Sequence, residues 1–182
     1  MANYINKERR QIDFDPFDLR IIAVPEVVAV QFKPRSEHTL LIRIADVGAT
    51  YQPLKHESLF EAILPVHFND INEEDDYWGL SDKEQAEMKL FNEVHRDLIY
   101  DFVDEHPDFT QIVVHCHAGV SRSSAVAMAI AEHLGDTDTY EKLQVIKRYL
   151  PNPRFLRLCG AKRIYKNENE EMLGEILYGK AL

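Results

Sequence analysis

One stretch restricts the folds open to this chain more than any other. An apolar run, Ile112-Val113-Val114, leads into His115-Cys116-His117-Ala118-Gly119-Val120-Ser121-Arg122-Ser123, and a helix-forming run from Ser124 to Ala131 follows at once. A strand that passes through a short loop straight into a helix places the loop where backbone N–H groups converge and the helix dipole is positive. A cysteine at the strand's end then meets two conditions. The environment depresses a thiol pKa, so that a nucleophilic thiolate exists near neutral pH, and it cradles a tetrahedral dianion such as phosphate. Arg122 adds a planar fork able to grip two phosphoryl oxygens, which a lysine could not imitate. An arginine at a helix start opposes the dipole, a placement that makes sense when an anion is bound there. Gly119 lets the loop backbone turn its amides inward. The residues describe a Cys116 thiolate that attacks phosphorus, with His117, Ala118, Gly119, Val120, Ser121 and Arg122 as the substrate-binding loop.

Composition narrows the setting. A chain of 182 residues with 45% hydrophobic and 29% charged residues is expected to form one globular domain with a substantial core. No run approaches the length of a membrane span, and Met1 to Gln11 is polar without an apolar h-region, so neither a membrane anchor nor a signal peptide is expected. Two cysteines far apart suggest a reducing, cytoplasmic setting and a free thiol. A net charge of −10 repels polyanions and argues against nucleic acid as a partner. That charge is uneven. Lys147 to Lys166 is basic, whereas Glu73, Glu74, Asp75, Asp76 and Asp82 crowd the stretch after Asp70. The basic run reads as a solvated helix face or as a positive rim around a phosphate site.

Arg20 to Val24 reads as a buried strand, and Pro25 as the first residue of a helix carrying Val27, Val28 and Val30. Thr39 to Ala45, Ala62 to Phe68 and Gln111 to His115 read as further strands, with Asp46 to Glu57 a loop. Ser81 and Glu84 form a capping box that predicts a long helix with the apolar face Met88, Phe91, Val94, Leu98 and Phe102, stopped by Pro107. The helix from about Ser123 is predicted to end at Gly135. Asp138 with Glu141 predicts a cap for a helix carrying Leu143, Ile146 and Leu150, and Asn152-Pro153 starts one more. Strands alternating with helices predict an α/β fold.

His-Cys-x-x-Gly-x-x-Arg-Ser resembles the signature loop of the cysteine-dependent protein phosphatases. By residue frequencies it arises by chance in such a chain on the order of 10⁻⁵ of the time. Ser121 before the arginine and Ser123 after it resemble the dual-specificity branch and short bacterial or phage-type tyrosine phosphatases. Leu150-Pro151-Asn152-Pro153-Arg154-Phe155-Leu156-Arg157-Leu158 is similar to a Pro-Asn-x-x-Phe-x-x-x-Leu segment of that branch, departing at Arg157, where Gln is common. The resemblance covers about residues 19 to 165 and is weak before residue 62. It leaves an N-terminal arm and an acidic C-terminal tail in a single domain over 1–182.

The resemblance implies a small twisted sheet of about four to five strands flanked by helices, and a metal-free and cofactor-free phosphomonoester hydrolase. Its substrate would be a phosphorylated protein or peptide. Cys116 would be the nucleophile, Arg122 the phosphate ligand and Ser123 the hydroxyl that stabilises the leaving thiolate, although Ser123 is also an ordinary helix-start serine. His115 matches the histidine beneath the loop. Asn152 matches an asparagine that braces the loop, and is equally an N-cap. The general acid is an aspartate on an upstream loop. Asp70, just past a strand, best matches the position, with Asp75 and Asp76 competing. Cys159, beside Leu156 and Leu158, reads as core. A serine hydrolase is disfavoured because Gly119-Val120-Ser121-Arg122-Ser123 lacks the final glycine of the nucleophile elbow. A non-catalytic phosphopeptide-binding module remains the alternative from another class, and a phosphoinositide phosphatase the alternative within the same chemistry.

Overall fold

The computed structural model describes residues 14–71, 83 and 89–161. Strands and helices follow one another as β1 (Ile21–Pro25), α1 (Glu26–Gln31), β2 (Thr39–Ala45), β3 (Ala62–His67), α2 (Glu93–Asp104), β4 (Gln111–Cys116), α3 (Arg122–His133), α4 (Thr137–Val145) and α5 (Pro153–Leu158). The strands form one sheet in the order β1-β4-β2-β3, with every pairing parallel. Successive strand residues point to opposite faces, so the unbroken burial of Ile21 to Val24, Thr39 to Ile44 and Ile112 to Cys116 means that both faces are covered. Their Val, Ile and Leu content suits that position, each fully buried side chain stabilising the fold by roughly 1.5–3 kcal/mol. Edge strand β3 carries the exposed Pro65, a residue that an interior strand would not tolerate.

Helix α3 is the central helix. Arg122 to Ala131 are all buried, because Ser123, Ser124, Ala125, Ala127, Ala129 and Ala131 are small enough for close approach to β1, β4, α4 and α5. It ends as expected at Gly135, whose φ of 66° is the left-handed turn favoured after a helix.

Three expectations are corrected. Helix α2 starts at Glu93, capped by Asn92 and His95, whose side chains exchange hydrogen bonds with each other's backbone N–H. Its buried residues are Ile99 and Val103, while Val94 and Leu98 are 73% and 45% exposed. The apolar pattern misled because Phe91 belongs to the segment before the helix, where it stacks on Phe155 at 4.0 Å. The Ser81–Glu84 capping box and Met88 lie outside the described residues. Asp136, not Asp138, caps α4 by accepting from the Thr139 N–H. Leu150 lies beyond that helix and is exposed. Finally, Pro25 precedes α1 as its cap residue, and the helix buries Ala29 while Val27 faces solvent.

Parallel pairing puts all four carboxyl ends on one side of the sheet, with Pro25 opposite Cys116 and Ala45 opposite His67. Ligand sites of open α/β sheets form at this edge. Glu26, Asp46, Asp70 and Cys116 all occur at or just after those ends.

Candidate active site

The loop from Cys116 to Arg122 is held from outside. The Glu26 N–H donates to the His117 carbonyl at 3.2 Å, the Leu150 N–H to the Val120 carbonyl at 3.1 Å, and the Ala125 N–H to the Ser121 carbonyl at 3.0 Å. The Ser124 hydroxyl also donates to the Val120 and Ser121 carbonyls. In a trans peptide the following N–H points opposite to its carbonyl, so the amides of Ala118, Ser121 and Arg122 turn into the loop. None of the amides from Ala118 to Ser121 donates to another described residue. Such a concave set of free N–H groups is an anion site.

Gly119 is required twice over. Its φ is 68°, and a Cβ there would lie 2.3 Å from the Pro25 nitrogen and 2.5 Å from the Val24 carbonyl carbon. The loop is thus packed directly on the end of β1.

Cys116 is buried, with Sγ 3.2 Å from Ser123 Oγ. That hydroxyl is on the second residue of α3, where it can donate to a thiolate. Arg122 is buried as well. Its Nη1 donates to Asp46 Oδ1 at 2.7 Å and to the Phe68 carbonyl at 2.8 Å, which locks the guanidinium between the ends of β2 and β3. Its Nε is buried without a hydrogen-bond partner, 4.0 Å from Asp70 Oδ2, leaving a directed donor for an oxyanion.

Asp70 does reach this loop. Its Oδ1 accepts from Ser121 Oγ at 2.8 Å and from Asn152 Nδ2 at 2.9 Å. The preceding residue is clamped: the Asn69 N–H donates to the Lys89 carbonyl at 2.8 Å, and the Lys89 N–H to Asn69 Oδ1 at 3.1 Å. Asp75 and Asp76 lie outside the described residues.

Asn152 is buried and caps α5 through the Arg154 N–H. Its amide nitrogen goes to Asp70 and to the Ile71 carbonyl rather than to the phosphate loop, so any bracing passes through Asp70. His117 projects outward, its side chain 85% exposed and 3.7 Å from Glu26. His115 is buried beneath the loop, with Nε2 accepting from Arg43 Nε at 3.2 Å. Burial, and then the Arg43 charge, depress its pKa from 6.5 to about 4, against an opposing interaction with the Cys116 backbone. Cys159 packs against the core, and burial pushes its thiol up to about 11, so it is a poor nucleophile at neutral pH.

Two residues of this constellation escaped sequence reasoning. Asp46 read as the first residue of a loop, and its only signal is a carboxylate directly after a buried strand. Arg43 left a plainer trace: it is the one charged residue in Thr39 to Ala45, and a charge inside a covered strand needs partners.

No protein-family model matches the chain, and no curated protein does. Among solved structures it is similar to the human tyrosine phosphatase-like serine/threonine/tyrosine-interacting protein, at 20% identity and a TM-score of 0.52, covering 78% of this chain and 89% of that one. It is also similar to a point variant of human DUSP28, at 17% identity and a TM-score of 0.50, covering 86% of this chain and 93% of that one. The chain shares its fold with these two structures. At this identity the likeness speaks for the fold alone.

Proposed function

We propose that this chain is a phosphoprotein phosphatase that hydrolyses phosphomonoesters through a cysteinyl-phosphate, with phosphotyrosine the preferred substrate. The observation that supports it is the convergence of Cys116, free loop amides, an immobilised Arg122 and the Asp70 carboxyl on one edge of the sheet. The Cys116 thiolate attacks phosphorus while the ester oxygen leaves with the Asp70 proton. Because Oδ1 is already engaged by Ser121 and Asn152, that proton would be carried on Oδ2. Loop amides and Arg122 take up the charge on the equatorial oxygens. Water then attacks the cysteinyl-phosphate, Asp70 takes its proton, and sulfur departs as thiolate with Ser123 Oγ donating to it. Phosphate and the free alcohol or phenol are the products.

The protein incubated with p-nitrophenyl phosphate and excess chelator should release the phenol, and Cys116→Ser should abolish release. Turnover surviving in Cys116→Ser would sink the mechanism. A second reading, a non-catalytic phosphopeptide binder, draws on the similarity to a protein described as phosphatase-like and interacting. Phosphopeptide binding without turnover by the unmutated chain would favour it. The loop carries His117 and Val120 where phosphoinositide phosphatases tend to place lysines, which supports phosphoprotein as the substrate class. Clear preference for soluble inositol phosphates over phosphopeptides would overturn that choice.

A further inference from the structure

Arg43 lies on β2, between Ile42 and Ile44 and directly opposite His115 on β4. A guanidinium taken out of water costs several kcal/mol unless it is well paired. Its partners here are all neutral: Nε donates to His115 Nε2 at 3.2 Å, Nη2 to the Gln52 carbonyl at 2.6 Å, and its carbon lies 4.6 Å from the centroid of the Tyr51 ring. Tyr51 is held in turn by donating to the Arg43 and Val66 carbonyls. Glu26 from α1 and Glu57 from the loop before β3 act on Arg43 only through space, without a contact. The sheet therefore holds a buried cation that no carboxylate among the described residues pairs. The neighbouring strand ends in a nucleophile and an anion cradle.

An arginine has no acceptor, so the contact to His115 Nε2 requires a lone pair there and puts the ring proton on Nδ1. That nitrogen is buried, and the Cys116 backbone interacts with the ring. A charged imidazolium would direct an N–H at the guanidinium, which the geometry forbids.

We propose that Arg43 is a positioning residue for the nucleophile: it fixes His115 as the neutral, Nδ1-protonated tautomer and places a permanent positive charge behind the phosphate loop, for which the Cys116 thiolate and the bound phosphoryl group serve as counterions. The assignment deepens the phosphatase reading and rests on it for its catalytic meaning. The depressed pKa of His115 agrees with it. Other groups around the loop are Arg122 and Ser123 on α3, Asp46 after β2, Asp70 after β3, Glu26 on α1 and the Tyr51 hydroxyl. His117 in the loop is exposed and Arg148, itself exposed, donates to the Ala23 carbonyl on β1; of the buried groups among the described residues, only Arg43 and Arg122 carry a fixed positive charge.

Two measurements without substrate test this. In the unmutated chain, ring ¹⁵N shifts of His115 should show Nδ1 protonated and Nε2 unprotonated at pH 7, with no titration above about pH 5. Alkylation of Cys116 by iodoacetamide at pH 6.5, with Cys116→Ser as background, should slow ~3–10-fold in Arg43→Met, the effect of losing one nearby charge. The rates should converge at pH 9.5, His115 should titrate at higher pH in the variant, and Arg43→Lys should recover most of the loss. A proton on Nε2, titration of His115 near 6.5 in the unmutated chain, or an unchanged alkylation profile in folded Arg43→Met would each overturn the proposal. Should Arg43→Met fail to fold, the tautomer measurement decides alone. Shifts of the expected kind in a chain without phosphatase turnover would defeat the functional reading and leave this one standing; turnover without the shifts would do the reverse.

Discussion

At the scale of single residues, the proposed chemistry depends on groups whose work is to hold others still. Arg122 binds nothing useful if its guanidinium swings, and Asp46 prevents that through a 2.7 Å charge-assisted bond. Asp46→Ala should therefore lower kcat/KM for p-nitrophenyl phosphate by about 10–100-fold, matching the roughly 1.5–3 kcal/mol of a hydrogen bond to a charged group. A variant that binds inorganic phosphate more tightly at unchanged kcat would show that Asp46 only competes with substrate. Asp70 has a different signature. Asp70→Asn should reduce turnover of an alkyl or phenyl phosphate by ~10²–10⁴-fold, the range of general acid catalysis. The deficit should shrink for leaving groups that need no proton, and iodoacetamide labelling of Cys116 should proceed nearly as before. Equal losses for every leaving group would remove Asp70 from the acid role.

At the scale of elements, α2 shows how a helix face is chosen. Val94 and Leu98 are exposed, whereas Ile99 and Val103 enter the core from the face about 100° further round the helix. Burial makes opposite predictions for neighbouring positions. Ile99→Ala should cost about 2–5 kcal/mol, through lost transfer energy and the cavity left behind. Val94→Lys should stay within about 0.5 kcal/mol, as surface substitutions do. Urea midpoints of the two variants measure both. A large loss in Val94→Lys with little change in Ile99→Ala would mean that the helix presents the other face. The same reasoning explains why α3 tolerates no growth: with Ser123 to Ala131 continuously buried, an added side chain has nowhere to go.

At the scale of the whole molecule, buried histidine couples the site to acid stability. Native His115 titrates at about 4, the unfolded ring near 6.5. Between these values the unfolded state binds a proton that the native state refuses. Stability is thus unaffected above about pH 6.5, falls as pH drops from there to about 4, and then levels. The full effect is up to roughly 3 kcal/mol. His95, also depressed by burial, acts in the same direction. Denaturant midpoints at pH 7.5 and 4.5 should separate less in His115→Gln than in the unmutated chain; an equal separation would assign the acid sensitivity to other groups.

The sequence alone determined what is local. The strand, loop and helix around Cys116 occupy about twenty consecutive residues. Hydrophobic run, glycine and small-residue helix there all point to one backbone path, with Gly119 where β1 leaves no room for a Cβ. The cap at Asn152-Pro153 was legible for the same reason, since both partners of the motif are neighbours in the chain. The tertiary structure alone decided the rest. Asp46 meets Arg122 across 76 residues, Asp70 meets Ser121 across 51, and Arg43 meets His115 across 72. No periodicity encodes such meetings. They follow from the strand order β1-β4-β2-β3, which inserts the last strand between the first two and so brings three carboxyl ends to the cysteine. That order is set by which buried faces pack best together, a property of the whole core rather than of any segment within it.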